Sequence, residues 1–263
     1  MSDFETLLFS VDAGIARITL NRPESANGLN LKMATELLDT AIACRTSDAV
    51  RAVLLSGSGK MFCAGGDLKS FRDNSERLEN YVSRLTTELH AALSHFARMR
   101  APLIVAVNGA AAGAGFSLAA AGDLVLAGRS AKFTMAYTAA GLVPDGGSSY
   151  FLPRIIGLRR TQELMLTNRR LSADEALDWG LVSRVVDDPE LLSEAERLAE
   201  QVASGPTGSY GAVKKLLAST FQAPLETQME MESAAISRAA VSADGREGVT
   251  AFFEKRPPAF TGR

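Results

Sequence analysis

The stretch LIVAVNGAAAGAGFSLAAAGD, residues 103 to 123, decides the fold of this chain. Its β-branched start, bounded by glycine, is typical of an interior strand, and its Ala-rich end is typical of a helix. Between them, Gly113-Ala114-Gly115 lets another group approach the backbone closely, because glycine has no Cβ. The first N–H groups of the following helix have no intrahelical partner and suit a developing negative charge. The stretch therefore predicts a strand, a catalytic loop and a helix.

The composition is that of an ordinary globular protein. The 263 residues are 46% hydrophobic and 22% charged, which allows one large domain or a core with an appendage. No apolar run reaches the length of a membrane span and the N-terminus lacks a secretory pattern, so we expect a cytoplasmic protein without a membrane span. Cys44 and Cys63 should then be reduced thiols. A net charge of −2 argues against a nucleic-acid partner.

Strand and helix patterns alternate along the first part of the chain. Strands are predicted at 16–20, 51–56, 103–107 and 124–127, and helices at about 30–43, 78–99 and 116–121. This alternation predicts an α/β fold whose functional loops lie at the strand ends.

The C-terminal part is helical in pattern. Ser172 and Glu175 have the spacing of a capping box, and Gly180 suits a helix C-terminus, so a helix is predicted at 173–179. Helical periodicity then runs from about 190 to 255. We divide the chain into an α/β core at 1–200 and a helical region at 201–263 that could pack on the core or on another subunit. Within that region, the Lys214-Lys215 pair is typical of a solvated helix face.

A second glycine loop, FCAGGDL at residues 62–68, also follows a strand and precedes a helix. Two such loops could aim two backbone N–H groups at one oxygen and stabilise the enolate of a thioester. Tight turns that serve packing alone are the alternative for each loop taken separately. A dinucleotide-binding glycine motif fits less well, because no acidic residue follows at the usual distance in a second strand.

Several ordered motifs together resemble the crotonase family, also called the enoyl-CoA hydratase/isomerase superfamily. They are Asn21-Arg22-Pro23 with Asn27-Gly28-Leu29, Ala64-Gly65-Gly66-Asp67, Asn108-Gly109 with Gly113-Ala114-Gly115, Gly141-Leu142-Val143-Pro144 with Gly146-Gly147, Leu152 to Gly157, Ala176 with Gly180-Leu181-Val182, and Glu254-Lys255-Arg256. The resemblance covers nearly the whole chain. It implies a spiral of repeated ββα units, with C-terminal helices that form a homotrimer or a dimer of trimers.

The resemblance also implies the binding groups. Gly66 and Ala114 match the two oxyanion donors. The substrate would be an acyl-CoA thioester, with CoA as part of the substrate and neither a separate cofactor nor a metal. Substrate-binding residues carried over from the match are Asn27, Leu29, Ala64, Gly65, Asp67, Leu68, Gly113, Ser117 and Tyr137.

The chain departs from the family pattern at the catalytic carboxylates. Family hydratases hold water between two glutamates, and those two positions read Ser117 and Tyr137 here. A hydroxyl and a phenol cannot serve as carboxylate bases near neutral pH. Asp145, in GLVPDGG, stands where family isomerases place a catalytic aspartate. The alternative is a turn in which Asp145 bonds to its own backbone.

These residues lead to one expected function and two alternatives. We expect an enoyl-CoA isomerase of fatty acid metabolism, in which Asp145 moves the proton. The alternatives are a hydratase-like lyase without the usual glutamates and a noncatalytic acyl-CoA- or RNA-binding member. His90 and His95 lie in a predicted helix and are interpreted as surface or packing residues.

Overall fold

The computed structural model describes residues 4–263, and within them ten strands and eleven α-helices follow one another. The strands are β1 (Leu7–Asp12), β2 (Ile15–Leu20), β3 (Ala52–Gly57), β4 (Met61–Cys63), β5 (Leu103–Val107), β6 (Ala110–Ala112), β7 (Leu124–Gly128), β8 (Lys132–Thr134), β9 (Leu171–Ser172) and β10 (Arg184–Val186). The helices are α1 (Leu31–Thr46), α2 (Leu68–Asp73), α3 (Leu78–Arg98), α4 (Ala114–Ala120), α5 (Ser148–Ile155), α6 (Leu158–Thr167), α7 (Ala173–Asp178), α8 (Leu191–Ala203), α9 (Thr207–Ser219), α10 (Leu225–Val241) and α11 (Ala243–Glu254).

The strands form two sheets. The larger sheet has the order β1-β2-β3-β5-β7-β10, with β1 antiparallel to β2 and parallel pairing elsewhere. The smaller sheet has the order β4-β6-β8-β9. Successive pairs after β2 send their first strand to the larger sheet and their second strand to the smaller one, as β3-β4, β5-β6 and β7-β8 do. The predicted α/β spiral of ββα units is confirmed.

The element boundaries follow the predicted pattern closely. The strand expected at 103–107 is β5, and all five of its residues are buried, as a two-sided parallel strand requires. The helix expected at 78–99 is α3, whose apolar side chains face the core. The capping box at Ser172 and Glu175 is present and begins α7.

Two apolar cores lie on the two sides of the larger sheet. The main core packs the sheet against α1, α3 and α4. It includes the rings of Phe116 and Phe133, which are tilted by 53° with their centroids 5.3 Å apart. The second core packs α8 on the opposite face. The predicted division after residue 200 therefore falls inside α8, which covers the sheet.

One expectation for the helical region was wrong. Lys214 does not lie on a solvated face: its side chain is 9% exposed, and Nζ is 2.6 Å from Oδ2 of Asp123. The same ammonium donates to the carbonyl oxygens of Phe96 and Ala101. The cation is buried because it joins α9 to the carbonyls at the end of α3 and to the start of β7. No helix in residues 4–263 is both long and apolar enough to span a bilayer.

Candidate active site

The two glycine loops meet at one edge of the smaller sheet. Strands β4 and β6 pair in parallel, so the loops that follow them emerge side by side. A Cβ on Gly65 would lie 2.8 Å from the carbonyl oxygen of Ala112 and 3.3 Å from the nitrogen of Ala114. Gly65 also has a φ of +95°, which favours glycine. The close contact of the loops requires glycine at this position.

The segment containing Leu29 joins the same place. The N–H of Leu29 donates to the carbonyl oxygen of Gly65 at 2.7 Å, and the carbonyl of Leu29 accepts from the N–H of Asp67 at 2.9 Å. This bridge leaves the N–H of Gly66 directed away from Leu29. Within residues 4–263, the backbone N–H groups of Gly66 and Ala114 donate to no protein acceptor. Both predicted oxyanion donors are therefore available in adjacent loops.

Asp145 lies in a cluster of polar side chains from three elements. Its Oδ1 accepts from the hydroxyl of Tyr137 at 2.5 Å, and its Oδ2 lies 3.3 Å from Nε2 of His90. The hydroxyl of Tyr137 is 3.0 Å from Oγ of Ser117 on α4. Gly113 lies beside the Tyr137 ring, since a Cβ there would be 4.0 Å from Cζ. Through Tyr137 and Ser117, the Asp145 carboxylate is thus linked to the second glycine loop.

The proton of Tyr137 is firmly held. Burial raises the pKa of this phenol, and the neighbouring charge of Asp145 and the hydrogen bond to it raise the pKa further. Tyr137 is therefore a hydrogen-bond donor to the carboxylate and not a base.

Ser117 is fully buried and closely packed. The Oγ of Ser117 lies 3.4 Å from the carbonyl oxygen of Gly113. A Cβ added to Gly146 would lie 2.9 Å from the Cβ of Ser117. The loop that carries Asp145 therefore occupies the space beside Ser117. A long acidic side chain at this position would displace that loop.

His90 was missed by the sequence interpretation, which treated it as a surface or packing residue. Its side chain is 48% exposed, but its ring contacts Asp145 and also accepts from the N–H of Gly146 at 3.1 Å. The signal was its place on α3: it directly follows buried Leu89 and precedes buried Leu93 by three residues, at the border of the apolar face. His95 lies elsewhere, with Nδ1 2.9 Å from Arg45.

Asp145 is not the self-bonded turn residue of the alternative interpretation. Its backbone carbonyl accepts from the N–H and hydroxyl of Ser148 at the start of α5. Its carboxylate instead contacts Tyr137 and His90. The turn therefore directs the side chain toward these two residues.

Some of the predicted substrate-binding residues have buried side chains, and others lie in or just after the first glycine loop. Asn27 is fully buried, accepts from the N–H of Arg22 and donates to carbonyls at 58, 61 and 62, and Leu29 lies in the core. These two could reach a ligand only through their backbone. Leu68 is exposed at the start of α2, and the Ala64 N–H is bonded to Ala26.

Asp67 has a structural role in the loop. Its carboxylate begins α2 by accepting from the N–H groups of Lys69 and Ser70, and it lies 2.9 Å from Arg22. Burial opposes ionisation of Asp67, but the hydrogen bonds from Arg22 and Ser70 outweigh it and lower the pKa. Asp67 is thus a fixed anion that holds the first glycine loop.

The described residues give little support for a cysteine nucleophile or a metal site. Burial raises the pKa of Cys63 to about 12, so its thiol is a poor nucleophile. Residues 4–263 contain no group of three or more His, Cys, Asp or Glu side chains that could hold a metal ion.

The chain belongs to the enoyl-CoA hydratase/isomerase family, whose model matches residues 10–263. It is 40% identical to 1,2-epoxyphenylacetyl-CoA isomerase of Escherichia coli (strain K12), over 98% of this chain and 99% of the relative. It is also 40% identical to a protein of Rhodobacter capsulatus named probable enoyl-CoA hydratase, over 99% of each. A solved structure from Mycobacterium abscessus, described as an enoyl-CoA hydratase/isomerase, matches with a TM-score of 0.94 at 38% identity, covering 98% of this chain and 100% of that one.

Proposed function

We propose that this chain is an enoyl-CoA isomerase that moves a carbon–carbon double bond through an enolate. The N–H groups of Gly66 and Ala114 donate to the thioester oxygen and make the neighbouring α-carbon more acidic. Asp145 removes a proton from the α-carbon and returns it to the γ-carbon. The observation that carries the proposal is the Asp145 carboxylate, which accepts from Tyr137, whose ring lies beside Gly113 of the second glycine loop.

A single carboxylate suits isomerisation better than hydration. The proton that leaves one carbon can be returned to another by the same group, whereas hydration requires a second group to activate water. Ser117 and Tyr137 cannot supply that second carboxylate. The Escherichia coli relative, which is named an isomerase, supports the same assignment. The proposed steps use backbone donors, one carboxylate and the acidity of the thioester itself, without a metal or redox cofactor.

A hydratase-like reaction is the second candidate. The Rhodobacter capsulatus relative is named a probable hydratase, and His90 supplies a second titratable group beside Asp145. In that reaction one of the two groups would activate water and the other would protonate the α-carbon.

Two substrates separate the candidates. The purified protein is incubated with a 3-enoyl-CoA and, separately, with crotonyl-CoA, and the absorbance of the conjugated thioester is followed. The isomerase proposal predicts rising absorbance with the first substrate and slow change with the second. Fast loss of absorbance with crotonyl-CoA and no conversion of the 3-enoyl-CoA would contradict it. No turnover across several acyl-CoAs, with acyl-CoA binding retained, would support a noncatalytic binding protein.

We also propose that the C-terminal helices assemble the chain into a homotrimer or a dimer of trimers. Large apolar side chains stand in solvent on α10 and α11, among them Ile236 at 67% and Phe252 and Phe253 at 78% exposure each. Such a patch is typical of an interface between subunits. Light scattering should give a trimer or hexamer mass, and Phe252→Glu with Phe253→Glu should lower it. A monomer mass for the unaltered chain would contradict the proposal.

A further inference from the structure

His90 places one ring nitrogen against two groups of opposite hydrogen-bonding character. Its Nε2 lies 3.3 Å from Oδ2 of Asp145 and 3.1 Å from the backbone nitrogen of Gly146. A carboxylate oxygen accepts hydrogen bonds, whereas a backbone N–H donates one. A single ring nitrogen in one protonation state therefore satisfies an ionised Asp145 or Gly146, but not both.

The position of one proton decides which contact is favourable. When Nε2 carries the proton, it donates to the Asp145 carboxylate and Gly146 loses its acceptor. When Nε2 is bare, it accepts from Gly146, and the approach of Oδ2 is favourable only if Asp145 holds the proton. In the state that follows proton abstraction from a substrate, Asp145 is a carboxylic acid, and the one lone pair of the bare Nε2 can take its proton.

The other oxygen of Asp145 offers no comparable path for the proton. Oδ1 accepts from Tyr137, whose raised pKa keeps its phenol protonated, and Ser117 beyond it is fully buried. The His90 side chain, by contrast, is 48% exposed. An exposed imidazolium exchanges its N–H protons with water, so His90 lies between the carboxylate and the solvent.

We propose that His90 is a proton relay that connects Asp145 to solvent during the isomerisation. The inference rests on the proposed isomerase function. The C–H bond at the α-carbon breaks and an O–H bond forms on Asp145. The proton then passes from Oδ2 to Nε2, the imidazolium exchanges it with water, and a solvent proton returns by the same route to Asp145 and then to the γ-carbon. No proton is gained or lost in the cycle.

Isotope incorporation during turnover tests the relay. 3-Hexenoyl-CoA is converted by the full chain in D2O, and deuterium at the γ-carbon of the product is measured by NMR at low conversion. The variant is His90→Gln, because an amide can donate to Asp145 and accept from Gly146 but cannot carry a proton between them. His95→Gln is the matched control on the same helix.

The relay predicts high deuterium content with the unaltered chain and with His95→Gln, and less than half that content with His90→Gln. A variant that merely loosens Asp145 would slow the return of the proton, allow more exchange and raise the deuterium content. Equal content in the unaltered chain and His90→Gln, or little deuterium in the unaltered product, would overturn the relay while leaving the isomerase proposal intact. Absence of isomerisation by the unaltered chain would overturn both.

Discussion

Asp145→Asn removes the proposed base while keeping the size and shape of the side chain. The asparagine oxygen can accept from Tyr137, and its amide nitrogen takes the place of Oδ2 beside Nε2 of His90, so the side chain keeps both of its neighbours. The amide cannot take a proton from the α-carbon. The substitution therefore separates proton transfer from binding and from stability.

The expected loss can be worked from the role of a positioned base. General base catalysis contributes a factor of about 10² to 10⁴, which corresponds to about 3 to 5.5 kcal/mol of activation free energy. The two backbone donors at Gly66 and Ala114 are unchanged by the substitution. We therefore expect kcat to fall by that factor, whereas the affinity for the CoA ester stays the same.

The assay measures kcat and KM for a 3-enoyl-CoA, together with acyl-CoA binding by calorimetry and the thermal unfolding midpoint. Asp178→Asn, which alters an exposed carboxylate of α7, is the matched control and should leave all three unchanged. A fall in kcat of less than tenfold would refute Asp145 as the base. A large fall accompanied by lost binding or a lowered unfolding midpoint would refute the argument that the side chain acts on the proton alone.

Three further predictions concern stability. Gly115→Ala places a Cβ 2.3 Å from a carbonyl oxygen of β4, and overpacking of this kind should lower the free energy of unfolding by about 3 kcal/mol. Gly208→Ala is the control, because the nearest atom to a Cβ there is 3.7 Å away. Equal denaturation midpoints for the two variants would contradict the argument. Lys214→Met removes the buried ammonium that joins α9 to the core and should cost about 2 to 3 kcal/mol in urea denaturation, whereas the same change at the next, exposed lysine should cost little. The hydrogen bonds from Arg256 and a backbone N–H lower the pKa of Glu247 to about 2. The contribution of Glu247 to stability is therefore complete above its usual pKa of about 4.3 and is lost as pH falls through about 2. Glu247→Gln should flatten the loss of stability across that interval, and an unchanged pH profile of unfolding would contradict this prediction.

Much of the fold could be predicted because its signals are local. The buried run of β5, the apolar stripe of α3 and the capping box of α7 each lie within one short segment, where periodicity and turn residues decide the backbone conformation. The two glycine loops were found in the same way. Their family-level match then predicted that the N–H groups of Gly66 and Ala114 would act as a pair, and the fold places the two loops side by side.

The environment of Asp145 could not be predicted in this way. His90 and Asp145 are 55 residues apart, and no periodicity within α3 shows that a loop after β8 packs against its border. The same limit applies to Lys214, whose acceptors lie far away in the chain and whose sequence context suggested a solvated face. Contacts between distant elements depend on how the helices pack on the sheets.

The amino-acid sequence by itself determined the α/β fold, the glycine loops and the carboxylate that replaces the usual glutamates. The first two follow from residue type and spacing within a segment, whereas the choice of Asp145 follows from the resemblance to the family. Only the tertiary structure decided which groups the Asp145 carboxylate contacts. Tyr137 donates to one oxygen of Asp145 and His90 faces the other, because α3, the segment after β8 and the loop before α5 meet beside Ser117. The glycine stretch at 103 to 123 thus pointed to the family, and the packing around it supplies the groups that we propose move the proton.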